Sequence, residues 1–140
     1  MITHVEKLRV RWVDTDASGR IHYTAAFRYF EAAEWELFRR AGISLRGHEE
    51  TFGFPRVSVT ATFHVPLYAD DEIAVHIRPE RIGTTSVTFV LEVFREETLC
   101  LSGKVTSVFI GAQGRPIPVP EPIRLAFTSS FERKGTKREG

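Results

Sequence analysis

Helical spacing runs for any length in only one stretch of this 140-residue chain, and almost everything after it has strand patterning. Between Thr24 and Ala41, apolar residues recur at Phe27, Phe30, Leu37, Phe38 and Ala41, with Ala26 and Ala33 between them. Those spacings of three, four and seven build one face of a helix, and Gly42 is a suitable terminator. The stripe is heavy in phenylalanine, so the helix is expected to be embraced by other elements rather than to rest loosely on a surface. From Arg56 onward the period falls to two. Val57, Val59, Ala61, Phe63 and Val65 alternate with polar residues until Pro66 and Ala69-Asp70-Asp71. Ile73, Val75 and Ile77 resume the pattern, Gly83-Thr84-Thr85 turns it, and Val87, Phe89, Leu91 and Val93 continue it. Leu99 to Ile110 reads as the last long strand. Upstream, Leu8, Val10 and Trp12 alternate with Arg9 and Arg11, which predicts a half-buried strand ending at Trp12. Three prolines between Pro116 and Pro120 exclude a central strand there, and a short helix from Pro122 to Phe127 is expected. The order is strand, long helix, then four strands with short connections. That is α+β: an antiparallel sheet with one helix packed on a face. No βαβ alternation occurs, which argues against doubly wound nucleotide-binding folds.

The length suits one domain, expected over residues 1–128, followed by a basic tail, 129–140, expected to be disordered. A net charge of +1 gives no pull toward nucleic acid or a membrane surface. The one cysteine, Cys100, sits in an apolar run and reads as a buried strand residue. Charges at Glu6, Lys7, Arg9 and Arg11 break any leader-like pattern, and no apolar run reaches membrane-spanning length, so the cytoplasm is the expected compartment. The five histidines, at 4, 22, 48, 64 and 76, have no metal-ligand spacing. His64 and His76 could face each other across neighbouring strands, but two histidines make a poor metal site, and none is expected.

Chemistry concentrates where the first strand hands over to the helix: Trp12-Val13-Asp14-Thr15-Asp16-Ala17-Ser18-Gly19-Arg20-Ile21-His22-Tyr23. A loop with two carboxylates precedes a helix start, whose free N–H groups can hold the negative charge that develops on a carbonyl oxygen. Aspartates before a helix also serve as turn formers and caps, and the local pattern leaves both readings open. Gly19 allows close backbone approach. His22 could contact substrate, act as acid or base, or simply be satisfied at the helix start. Glu31 could reach a neighbouring loop or lie on a solvated face. Arg81 with Thr84, Thr85 and Ser86 could meet a phosphate or form a plain hairpin turn.

These residues resemble a known family. Val10 through Tyr23, followed by Phe27-Arg28-Tyr29-Phe30-Glu31, is similar to the signature of hot-dog-fold acyl-CoA thioesterases of the 4-hydroxybenzoyl-CoA type, including those linked to the bacterial Tol-Pal system. The resemblance covers residues 5 to 127. It implies a long helix wrapped by a curved antiparallel sheet, and homodimers or dimer-based tetramers with active sites at the subunit interface. It implies that Asp16 is the catalytic carboxylate, as general base or nucleophile, and that the Tyr23 backbone N–H polarises the thioester carbonyl. Gly19, His22 and Phe27 fall at the substrate, and Arg81, Thr84 and Thr85 at the coenzyme A end. That hairpin carries one arginine where some relatives are more basic, and His22-Tyr23 inverts the order common in relatives. Coenzyme A belongs to the substrate, and no other cofactor is implied. Two alternatives stand beside hydrolysis: hydration or dehydration of an acyl chain with His22 as acid or base, and a module that binds acyl-CoA or a protein without turnover.

Overall fold

The computed structural model describes residues 3–44 and 52–128; the expected basic tail and His48 lie outside them. The elements are β1 (His4–Arg9), α1 (Ala25–Arg40), β2 (Arg56–Phe63), β3 (Glu72–Ile82), β4 (Ser86–Arg95), β5 (Thr98–Val108) and α2 (Glu121–Ala126). All five strands form one antiparallel sheet in the order β1-β3-β4-β5-β2. The three consecutive strands β3, β4 and β5 are the meander that the short turns predicted. β2 joins the far side of β5, so β2 and β3 are not neighbours. His64 and His76 therefore do not face each other: His64 bonds Ser102, and His76 packs on Phe94.

One face of the sheet carries Ile73, Val75, Ile77, Val87, Phe89, Leu91 and Val93, all buried, and α1 lies across it. The helix turns Ala25, Ala26, Tyr29, Phe30, Ala33, Leu37 and Phe38 into that face. Phe38 is closed in by Phe54, Phe89 and Phe127, the last arriving just after α2. The expected embrace is therefore real at this end. Cys100 is buried in β5, as its apolar surroundings predicted.

Two expectations change. β1 ends at Arg9, not Trp12, and residues Trp12–Asp14 form a single 3₁₀ turn that leaves Trp12 86% exposed. The reason is polar: the Arg11 N–H donates to Asp14 Oδ2 at 2.9 Å, which curls the chain away from the ladder. Second, β2 alternates as read, but α1 covers its apolar side only in part, around Ala61. Val57, Val59 and Phe63 are 60%, 39% and 47% exposed, along the free edge of the sheet.

Candidate active site

The stretch from Asp14 to His22 is a small hairpin. His22 N–H donates to the Asp14 carbonyl at 2.8 Å, Thr15 bridges Ile21, and Asp16 N–H donates to the Arg20 carbonyl at 2.9 Å. Gly19 N–H closes the turn on the Asp16 carbonyl at 3.0 Å, with Gly19 at φ +85°. A three-residue turn of this kind needs a left-handed residue in that position, which glycine adopts without penalty. A Cβ on Gly19 would meet nothing within 4 Å, so within this chain the glycine is required by the turn and not by packing.

At the tip, one oxygen of Asp16 is occupied. Oδ1 accepts from Ser18 Oγ at 2.6 Å and from Ser18 N–H at 2.8 Å. Oδ2 accepts nothing among the described residues. The Ser18 hydroxyl and N–H hold the Asp16 carboxyl below its usual range, so it is ionised at neutral pH. Asp14 has the opposite surroundings. It is 2% exposed, and its Oδ1 accepts from Arg28 Nη2 and its Oδ2 from the Tyr29 hydroxyl, each at 3.0 Å. Burial pushes this carboxyl up, but the Arg11 N–H, Arg28 and Tyr29 bonds outweigh it and the net shift is downward.

The helix entrance follows directly. Ala25, Ala26 and Phe27 N–H groups donate to the carbonyls of His22, Tyr23 and Thr24. Tyr23 N–H has no acceptor among the described residues, which leaves a backbone donor open at the helix start. His22 Nδ1 meets Thr24 Oγ1 at 2.8 Å, and the ring stacks on Tyr23 at 4.7 Å. Among the described residues, His22 bonds no carboxylate.

Beside this entrance, between α1 and the edge strand β2, lies a cleft of about 590 Å³. Phe27, Phe30, Val59 and Val105 make it apolar, while Arg28, Glu31, Glu34 and Arg56 line it with charge. That volume suits a small-molecule group. Glu34 is 2% exposed and is held by Arg56 at 2.8 Å. Burial raises the Glu34 carboxyl, against the pull of Arg56.

The structure thus gathers Asp16, Gly19, His22, Tyr23 and Phe27 at one end of α1. It does not bring Arg81, Thr84 and Thr85 to them within one chain. The hairpin carrying those three closes β3 and β4 at the end opposite Val10 and Asp71, where the first strand enters the Asp16 loop. β3 has 11 residues, so about 33 Å of strand runs between the two ends. The Thr84 and Thr85 carbonyls accept from Val119 and Phe109, so the backbone there is tied to the C-terminal segment. Sequence reasoning passed over Arg28, Tyr29, Glu34 and Arg56. Of these, Tyr29 left a signal: a tyrosine inside a buried helical stripe needs a partner for its hydroxyl. Among the described residues, no group of three or more His, Cys, Asp or Glu side chains could hold a metal ion.

The sequence profile of the Thioesterase-like superfamily matches residues 10–127. The chain belongs to that superfamily. This agrees with the enzyme class implied by the sequence resemblance. Over 113 residues the chain is 27% identical to a 1,4-dihydroxy-2-naphthoyl-CoA hydrolase of Synechococcus sp. (strain CC9605), covering 76% of each protein. Its fold matches the crystal structure of a 1,4-dihydroxy-2-naphthoyl-CoA thioesterase from Synechocystis with a TM-score of 0.84 at 19% identity, covering 89% of this chain and 95% of that one. It matches a gentisyl-coenzyme A thioesterase with a TM-score of 0.80 at 24% identity, covering 89% and 98%. The fold is therefore the hot-dog arrangement of these thioesterases.

Proposed function

We propose that this chain hydrolyses an acyl-CoA thioester to a carboxylic acid and free coenzyme A, with Asp16 and the Tyr23 N–H as the working pair. The observation that carries the reading is the Tyr23 N–H at the helix start, beside a hairpin whose tip presents the ionised Asp16; neither that N–H nor Asp16 Oδ2 has a partner among the described residues. The Tyr23 N–H donates to the carbonyl oxygen of the thioester and holds the negative charge that develops there. Removing one such donor costs about 3–4 kcal/mol of transition-state stabilisation in comparable sites. Asp16 Oδ2 either takes a proton from the attacking water or attacks the carbonyl carbon itself, giving an anhydride that water then cleaves. In both routes the C–S bond breaks, the thiol leaves with a proton derived from water, and the oxygen of water ends in the acid or in the regenerated carboxylate. The route uses no metal or redox cofactor. Two of the relatives are named for 1,4-dihydroxy-2-naphthoyl-CoA and gentisyl-CoA, both aromatic acyl-CoA thioesters. The apolar cleft beside Phe27 and Phe30 suits such an acyl group.

The reading includes a second copy of the chain. The free edge of β2 carries exposed apolar side chains, and the cleft opens along that edge. If two copies pair there antiparallel about a twofold axis, unlike ends of β2 come side by side. The Phe63 end belongs to the Asp16 side, since Phe63 and Arg20 line one cavity. The Arg56 end lies toward the hairpin, through Ser107 and Val108 of β5. Each Asp16 loop then meets the side of its partner that carries Arg81, Thr84 and Thr85, where the coenzyme A phosphates are placed.

The test is thiol release from a panel of aromatic, short-chain and long-chain acyl-CoA esters by wild type and Asp16→Asn. Loss of general-base or nucleophilic assistance should lower kcat by about 10²–10⁴-fold, with folding and assembly unchanged. Full activity in Asp16→Asn would overturn the assignment of Asp16. Stoichiometric binding without thiol release across the panel would overturn hydrolysis in favour of a binding module.

A further inference from the structure

We propose that Asp14 is a positioning residue for this reaction: its buried side chain clamps the Asp16 hairpin onto α1 and so sets the gap between the Asp16 carboxylate and the Tyr23 N–H. The proposal rests on the roles given to Asp16 and Tyr23 above.

Three sets of contacts converge on this one residue. Through its side chain, Asp14 grips α1 on the turn after the open N–H, at Arg28 Nη2 and the Tyr29 hydroxyl, both 3.0 Å away. Through its carbonyl, it holds His22, the residue before Tyr23, at 2.8 Å. Through the chain, it stands two residues from Asp16, on the arm of the hairpin that leads to the tip. The Arg11 N–H at 2.9 Å fixes where that arm begins. Among the described residues no other side chain of the hairpin bonds α1: that of Asp16 bonds Ser18, and that of His22 bonds Thr24 ahead of the helix.

The grip is also of the kind that holds position. Asp14 and Tyr29 are 2% and 5% exposed, so water does not compete for their bond. A buried carboxylate that loses a donor has no ready substitute, so the hairpin would have to shift to regain one. Near-attack geometry is sensitive on this scale: a misplacement of about 1 Å can cost roughly 10²-fold in rate. Arg28 adds a link to the substrate side, because it lines the apolar cleft while it holds Asp14.

The experiment is a kinetic cycle on the full chain with one good acyl-CoA substrate, using Asp14→Asn, Tyr29→Phe, Asp16→Asn and the two doubles that combine Asp16→Asn with each of the others. Tyr29→Phe removes a single donor while keeping the ring, and it stands in for Asp14→Asn should that variant fold poorly; near-UV circular dichroism and thermal melts report folding. Asp14→Asn and Tyr29→Phe should each lower kcat by about 10–100-fold with KM within about twofold. If Asp14 acts through Asp16, each double should be no slower than Asp16→Asn alone. Losses that multiply, a loss confined to KM, or single variants with native kcat would overturn the proposal while leaving Asp16 in place. Full activity in Asp16→Asn would instead overturn the functional reading beneath it.

Discussion

Asp14 and Asp16 are chemically identical, stand two positions apart, and have opposite surroundings. Asp16 lies at the tip of a hairpin in water, with one oxygen spoken for. Asp14 lies at the base, against α1, with three donors. The difference has a consequence for stability against pH. The folded-state value of Asp14 lies below that of the unfolded chain, because its donors outweigh its burial. Its stabilising contribution is therefore complete above the unfolded value, about 3.9, and is lost as pH falls through the depressed folded one. Asp14→Asn should lower stability at pH 7 by about 1–3 kcal/mol. That gap should narrow as both proteins are acidified below about pH 4. Thermal melts across the range measure it, and a gap that stays constant would contradict the assignment. From the local pattern alone the pair could be recognised but not divided, and it is the family resemblance that singles out Asp16. Which aspartate is buried depends on Arg28 and Tyr29, a separation that no local pattern registers.

At the scale of elements, periodicity carried most of the fold. The long helix and the strands lie within a few residues of where their spacing put them, because the period records which side of an element is dry. What the period does not record is what does the covering. β2 alternates as well as any strand in the chain, yet Val57, Val59 and Phe63 on its apolar side are left exposed at the end of the sheet. Trp12 continues the alternation of β1 but stands in water, since a polar bond inside the next turn took precedence over the ladder. Gly103 shows where closeness between elements is paid in side-chain volume. A Cβ there would lie 2.2 Å from the Thr60 carbonyl oxygen and 2.8 Å from the Phe30 ring. The helix lies as near to β5 as it does because residue 103 has no side chain. Gly103→Ala should destabilise the protein by about 2–4 kcal/mol, read by urea denaturation. A loss under about 0.5 kcal/mol would mean that Phe30 and β2 give way freely.

At the scale of the whole molecule, the site residues named by resemblance fall at the two ends of one sheet. The hairpin turn of Gly83-Thr84-Thr85 was legible from composition, but its distance from Asp16 was not, since it depends on strand order. The proposed edge-to-edge pair reconciles the two. Lysines at Val57 and Val59 should shift the protein to single chains in analytical ultracentrifugation with little change in far-UV circular dichroism, because both side chains are already exposed in the lone chain. An unchanged assembly would place the interface elsewhere. The separation of the hairpin from Asp16 also has a genetic meaning. Chains bearing Asp16→Asn and chains bearing Arg81→Ala, unfolded together and refolded in equal amounts, would form hybrids in about half of the pairs, each with one doubly damaged site and one intact site. Two impaired parents would then complement, restoring about a quarter of native activity at low substrate, whereas a site contained in one chain would return only the mean of the parents.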